Sequence, residues 1–191
     1  MHIKYYGHSC FTAQSGEFVI GFDPYDPSVP GYGPLHIEVD EIYCSHEHGD
    51  HNYLPAVSIR NGSSEKANPF EISSFITAHD DAEGKLRGFN TVRICLAEGK
   101  KIAHLGDIGC MPGESEIEKL KGCDVMMIPV GGYYTIDYNT ACEIVKKTAP
   151  KCAIPMHYRS GKKGFGVLGD INKMKLTQEF RQMAVGEKIE I

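Results

Sequence analysis

Residues 44–54 read CSHEHGDHNYL, which sets His46, His48, Asp50 and His51 within six positions. Imidazole and carboxylate are donors that suit zinc, manganese and iron. Ordinary folding gives little reason for such density, because these side chains have poor strand propensity and are costly to bury unpaired. With nine histidines and ten aspartates in 191 residues, four fixed matches arise by chance at roughly 10⁻⁵ to 10⁻⁶ per window, a low false-positive risk for a short motif. The competing readings are a solvated loop and a purely structural metal site.

Further donors stand at the ends of apolar, strand-like runs. EIYCS leads into the cluster, SSFITA ends at His79, KKIAHLG at Asp107 and CAIPM at His157. Strand ends are where a rigid sheet holds side chains at one rim, so the recurrence points to one convergent site. His46 and His48 are two residues apart and share a face in extended backbone, whereas Asp50 and His51 turn toward a second position. Six or seven nitrogen and oxygen donors exceed the four of a tetrahedral zinc ion. Divided between two ions they leave room for a shared water, and a bridging carboxylate such as Asp107 suits a pair ~3.5–4 Å apart. The cofactor expectation is therefore two divalent ions, zinc foremost, with manganese or iron as alternatives.

The elements that must position these groups can be read in outline. HIKYYG, CFTAQ, EFVIGF and EIYCS are short strands, interrupted by DPYDPSVPGYGPL, whose prolines and glycines demand a long loop. FEISSFITA is a strand, and TVRICLAE and KKIAHLGD form a hairpin around Gly99. SEIEKLKG is expected as a helix capped by Ser115 and closed by Gly122. DVMMIPV is a strand buried on both faces. DYNTACEIVKKTAP is an amphipathic helix started by Asp137 and stopped at Pro150, with Ala141, Ile144, Val145 and Ala149 on its apolar side. CAIPMHY is a strand, LTQEFRQMAV a last helix and KIEI a last strand. Strands dominate early and alternate with helices later, which is an α/β chain with a mixed sheet or two sheets covered by helices.

The length fits one domain, residues 1–191. Hydrophobic residues make up 41% and charged residues 24%, enough for an ordinary core. A net charge of −5 argues against a nucleic-acid or anionic-membrane surface. MHIKYYGHSCF has no apolar run of a secretory signal, and no stretch reaches the ~18–20 apolar residues of a membrane span. Seven scattered cysteines without a C-x-x-C read as reduced thiols, so a cytoplasmic location is expected.

SHEHGDH resembles the H-x-H-x-D-H motif of the metallo-β-lactamase-fold hydrolases, with Asp23 in GFDP, His79 in TAHDD, Asp107 in HLGDIG and His157 in PMHY following in that family's order. YYGHSCF, RGFNTV and VGGYYTID resemble its small bacterial and archaeal branch of metal-dependent hydrolases, related to the ascorbate-6-phosphate lactonases. The resemblance spans nearly the whole chain. It implies a four-layer αββα sandwich, two mixed sheets flanked by helices, with a dinuclear site along one edge. By the same resemblance His46, His48 and His79 hold the first metal, Asp50, His51 and His157 the second, and Asp107 bridges. It also implies that Asp23 accepts an N–H from a ligand histidine; the alternative is a turn residue before Pro24.

Other residues carry weaker expectations. His8 is either a site-lining or an ordinary polar histidine, and His104 reads as packed inside. Asp80 and Asp81 directly follow His79 and read as solvated loop acids, with support of a neighbouring ligand by one of them as the alternative, and Cys110 reads as no ligand. Arg87 either contacts an anionic substrate or braces its loop. Tyr133 and Tyr134 are candidates for the cleft wall. The loop 158–170 is either a plain surface loop or a cationic flap. The functional expectation is a hydrolase that uses a dinuclear-metal-bound hydroxide on a small-molecule ester, lactone or phosphoester, an anionic one included. Asp50 orients the nucleophile and shuttles a proton. The alternatives are a phosphodiesterase or nuclease-like enzyme and a non-catalytic metal-binding or ligand-sensing protein.

Overall fold

The computed structural model describes residues 1–60 and 66–191. The first half contains β1 (His2–Gly7), β2 (Cys10–Ser15), β3 (Phe18–Phe22), β4 (Ile37–Val39), β5 (Glu41–Tyr43) and β6 (Val57–Ile59). The second contains β7 (Glu71–Ala78), β8 (Phe89–Ala97), β9 (Lys100–His104), α1 (Glu114–Leu120), β10 (Val125–Pro129), α2 (Tyr138–Thr148), β11 (Ala153–Met156) and β12 (Lys188–Glu190). Two five-stranded sheets result, in the orders β12-β1-β2-β3-β5 and β11-β10-β9-β8-β7, with β4 and β6 as a separate pair. Both large sheets are mixed: β3–β5, β9–β10 and β10–β11 are parallel and the other pairs antiparallel.

Alternation explains how the sheets stack. In β1, Ile3, Tyr5 and Gly7 point inward while His2, Lys4 and Tyr6 are half-exposed. Ile3, Tyr5, Phe11 and Ile20 of the first sheet meet Ile102, Met127, Ile154 and Met156 of the second in one apolar layer. The opposite face of the second sheet, including Ile94, Ala103, Met126 and Ile128, is covered by Ile117 and Leu120 of α1 and Ala141, Ile144 and Val145 of α2. Every residue of β10 is buried because it faces both layers. The outer face of the first sheet is covered differently. Tyr25 and Val29 of the Pro-rich loop pack there with Ile37 and Val39 of β4. Proline and glycine deny that segment a helix, so among the described residues loop and short sheet supply this layer.

Three local expectations need correction. LTQEFRQMAV is not a helix. Its chain runs beside β11, where the Ala153 N–H donates to Glu179 and the Arg181 N–H to Ala153. Phe180 and Met183, both buried, imitate helical spacing, but the open edge of the second sheet offers a better home for this backbone. Helix α1 is capped by Gly113 without a side-chain bond, and Ser115 lies inside it. Ala149 is exposed in the left-handed conformation that ends α2, and Thr148 fills the inner position instead. Asp137 does cap α2, its carboxylate accepting the Thr140 N–H at 2.9 Å.

The pairing directions also position the site. Within the first sheet β1, β3 and β5 run the same way, and within the second so do β7, β9, β10 and β11. Their C-terminal ends lead into His8, Asp23, the 46–51 cluster, His79, Asp107, Gly131 and His157.

Candidate metal centre

The expected donors meet where the two sheets share a rim. Ring centroids lie 4.6 Å apart for His46 and His48, 4.5 Å for His46 and His79, and 5.4 Å for His51 and His157. Asp107 is the common neighbour. Its Oδ2 lies 3.2 Å from His51 Nε2, 3.1 Å from His157 Nε2 and 3.6 Å from His79 Nε2. Asp50 Oδ2 lies 3.7 Å from His51 Nε2 and 3.9 Å from His157 Nε2. Two donors held ~2.1 Å from a tetrahedral ion are ~3.4 Å apart, and these separations scatter about that value.

His46 Nε2, His51 Nε2, His79 Nδ1, both ring nitrogens of His157 and Asp107 Oδ1 are buried without a hydrogen-bond partner. Buried polar atoms without partners cost about 1–3 kcal/mol each, so several in one place need an explanation. A cation would satisfy the inward-facing atoms together. Donor atoms of His46, His48 and His79 form one compact group, those of Asp50, His51 and His157, with His8, a second, and those of His46, His51 and Asp107 a third.

Neighbouring groups fix which nitrogen each ring presents. The His51 Nδ1–H donates to Asp23 Oδ2 at 2.7 Å, which turns Nε2 toward Asp107. Ser45 donates both its N–H and its Oγ–H to Asp23, each at 2.7 Å. The hydroxyl is thereby left to accept from His46 Nδ1 at 2.9 Å, and His46 Nε2 faces inward. Asp23 thus orients two rings, a role that raises ligand basicity and holds ring angle.

The backbone is bent to achieve this. His8, Asp23 and His157 follow strand ends with φ of 52°, 45° and 51°. Non-glycine residues in this region cost of order 1–3 kcal/mol each, and the hydrogen bonds around them hold the conformation. The His8 carbonyl accepts from the His157 N–H at 3.1 Å and from the Tyr5 hydroxyl at 3.2 Å, which ties the two sheets together. Close approach demands glycine at two points. A Cβ on Gly131 would lie 2.0 Å from the His157 carbonyl oxygen, and one on Gly106, at φ 55°, would lie 2.2 Å from Asn90 Oδ1.

Asn90, Ser45 and Asp80 are supports that sequence reasoning missed. Buried Asn90 accepts the Asp107 N–H at 2.8 Å and donates to Leu105 and Thr77. In sequence Asn90 precedes the expected strand TVRICLAE, where an Asn reads as an ordinary loop residue, so spacing offered no signal. Asp80 is no solvated acid: its carboxylate accepts backbone N–H groups from Ala82, Gly84, Leu86 and Arg87. Asp81 is exposed. His104 is packed inside, stacked 5.1 Å from Phe22, with Nε2–H donating to Ser9 and Nδ1 accepting from the Gly106 N–H. His8 is fully buried and lines the site, its Nε2 3.1 Å from Asp50 Oδ2 and its ring 4.4 Å from that of His157.

Protonation divides the rings. Burial pushes His46 down to about 3 and, helped by His157, His8 down to about 4; burial also lowers His79. Burial would lower His51 and His157 too, but Asp107 raises both, joined by Asp23 at His51. Burial would raise the Asp107 carboxyl, yet His157 and His51 hold it well below the usual range. His157 and His8 do the same for Asp50. Burial thus disfavours a proton on His46 and His79, while the carboxylates favour one on His51 and His157, which an entering cation would displace.

The donors open on a cleft of about 260 Å³ walled also by Arg87, Tyr134 and Phe165. Tyr133 is 68% exposed and stands aside. The 158–170 loop is tied down: Gly164 and Gly169 donate N–H groups to Pro30 and Gly131, and Arg159 pairs with Asp170 at 3.2 Å. It contributes Phe165 to the cleft, whereas Lys162 and Lys163 are exposed.

A Beta-lactamase superfamily domain matches residues 2–157, a span that includes every one of these donors. The chain belongs to the metallo-β-lactamase superfamily. A UPF0173 protein of Pyrococcus furiosus is 31% identical over 189 residues, covering 83% of each chain. A UPF0173 metal-dependent hydrolase of Thermoplasma acidophilum is 26% identical over 189 residues, covering 84% of each. A Thermotoga maritima protein, assigned as a Zn-dependent hydrolase of this superfamily, superimposes with a TM-score of 0.74 at 28% identity, over 100% of this chain and 91% of its own. No helix in the described residues is long and apolar enough to cross a membrane.

Two predictions follow from the support network. Asp23→Asn keeps a side chain that tolerates positive φ but removes the charge behind His51 and Ser45. Metal affinity, measured by competition with a chelating dye, falls about 10–100-fold; an unchanged affinity contradicts the assigned support. Zinc added to the metal-free protein at pH 7 in weak buffer releases protons from His51 and His157, so affinity drops as the pH is lowered. A pH-independent affinity between pH 5 and 8 contradicts the protonation pattern.

Proposed function

We propose that residues 1–191 form a single domain that hydrolyses a small-molecule ester, lactone or phosphoester with two divalent cations, zinc foremost. His46, His48 and His79 would hold the first, Asp50, His51 and His157 the second, with Asp107 shared. The observation that carries this reading is the set of buried imidazole nitrogens without hydrogen-bond partners gathered around the Asp107 carboxylate. Manganese or iron would satisfy the same nitrogen and oxygen donors.

When bound, such a pair of ions lowers the pKa of water toward neutrality and polarises a substrate oxygen. The chain's own groups do the rest. Asp50 is ionised and its side chain is 19% exposed toward the cleft. It is placed to orient the attacking water and to take its proton. His8 donates to Asp50 Oδ2 and holds that carboxylate in position. Phe165 and Tyr134 narrow the cleft and restrict water around the reacting bond. The modest volume favours a small molecule over a polymer.

Metal analysis of the purified protein, with turnover of a panel of aryl esters, lactones and phosphodiesters, tests the assignment. Two equivalents of metal and hydrolysis of at least one class are expected. Two equivalents with no turnover of any class point instead to a metal-dependent sensor on the same fold. Asp50→Ala lowers kcat by about 10²–10⁴-fold on the best substrate. Full activity with both ions retained contradicts the role given to Asp50.

A further inference from the structure

Arg87 walls the cleft, and among the described residues it has no acidic partner. Among the described residues no carboxylate oxygen lies within 4.0 Å of its guanidinium, and its side chain donates no hydrogen bond to protein. Of the acids on its loop, Asp80 is already spent on four backbone N–H groups, one of them that of Arg87 itself, and Glu83 pairs with Lys85 at 3.0 Å. This clamp sets the Arg87 backbone against the loop that begins at His79. The guanidinium lies over the Tyr134 ring, 4.3 Å from its centroid, with the Tyr133 centroid at 6.0 Å. A guanidinium set over an aromatic ring keeps its five N–H donors, a fork that matches an oxyanion, and Arg87 walls the cavity that also holds His48, Asp50 and His79.

A loop brace is the competing explanation. A brace would be expected to hydrogen-bond the carbonyls or carboxylates of its own loop, and this side chain bonds neither. The charge of the cleft points the same way. The chain carries −5 overall, yet two divalent ions against Asp50 and Asp107 would leave the cleft cationic, and Arg87 adds to it. A focused positive site in an acidic protein draws small anions.

We propose that Arg87 is a specificity determinant that binds a second, non-reacting oxyanion of the substrate, a carboxylate or phosphate, while the scissile bond sits at the donors. The substrate class is then an ester or lactone that also carries a fixed negative charge. The proposal rests on the two-cation hydrolase reading given above, but its test does not require turnover.

Calorimetric titration of the zinc-loaded protein with benzoate, phenyl phosphate and neutral benzamide reads the preference directly. The wild type binds one of the two anions at least about tenfold more tightly than benzamide. In Arg87→Ala that anion-over-neutral ratio collapses about five- to thirtyfold, and Arg87→Lys recovers only part because a point charge replaces the fork. The anion whose ratio falls further names the group recognised. Zinc content is measured on each variant, since loss of a metal would lower anion affinity by another route and the comparison is made at equal content. An anion-over-neutral ratio that is the same in wild type and Arg87→Ala overturns the proposal. Failure of the hydrolase reading shows separately, as a wild type without two ions or without turnover.

Discussion

The structure turns on an unfavourable act, the burial of imidazoles and a carboxylate beside one another without enough hydrogen bonds to satisfy them. Asp107 is 1% exposed and His51 and His157 are fully buried, so water offers little compensation. The attraction between the Asp107 carboxylate and the His51 and His157 rings, which raises both imidazoles and lowers the carboxyl, offsets part of the cost. The remaining inward-facing atoms make sense as donors to cations, and the surrounding chain is arranged to keep them in place.

That arrangement comes from topology and a few bent residues. Strands that run the same way in each sheet bring their C-terminal ends to one rim, and each end supplies one part of the site. The apolar layer between the sheets, with Ile3, Phe11, Met127 and Ile154, keeps the rims in register. Left-handed backbone at His8, Asp23 and His157 turns those side chains inward. Cross-links such as His104 between Ser9 and Gly106 make the position of one sheet depend on the other.

The gathering of these side chains was legible because imidazole and carboxylate groups crowd the sequence and follow apolar runs, so chemistry and strand pattern reinforced each other at His46–His51, His79, Asp107 and His157. The sandwich was legible through the same strands and the resemblance of SHEHGDH to a known motif. Asn90, Ser45 and Asp80 were hidden because their value lies in contacts across 17, 22 and up to 7 residues of chain that spacing does not reveal. LTQEFRQMAV was misread because Phe180 and Met183 satisfy a helical period while an open sheet edge claims the backbone. Local propensity lost there to a tertiary hydrogen-bonding opportunity.

The account is tested most directly by diffraction from zinc-loaded crystals with data collected on both sides of the zinc absorption edge. It predicts two anomalous peaks ~3.5–4 Å apart, both within bonding distance of the Asp107 carboxylate. One should be bounded by His46, His48 and His79, the other by Asp50, His51 and His157. A single peak, or a pair of peaks that leaves His79 and His157 unligated, would contradict it.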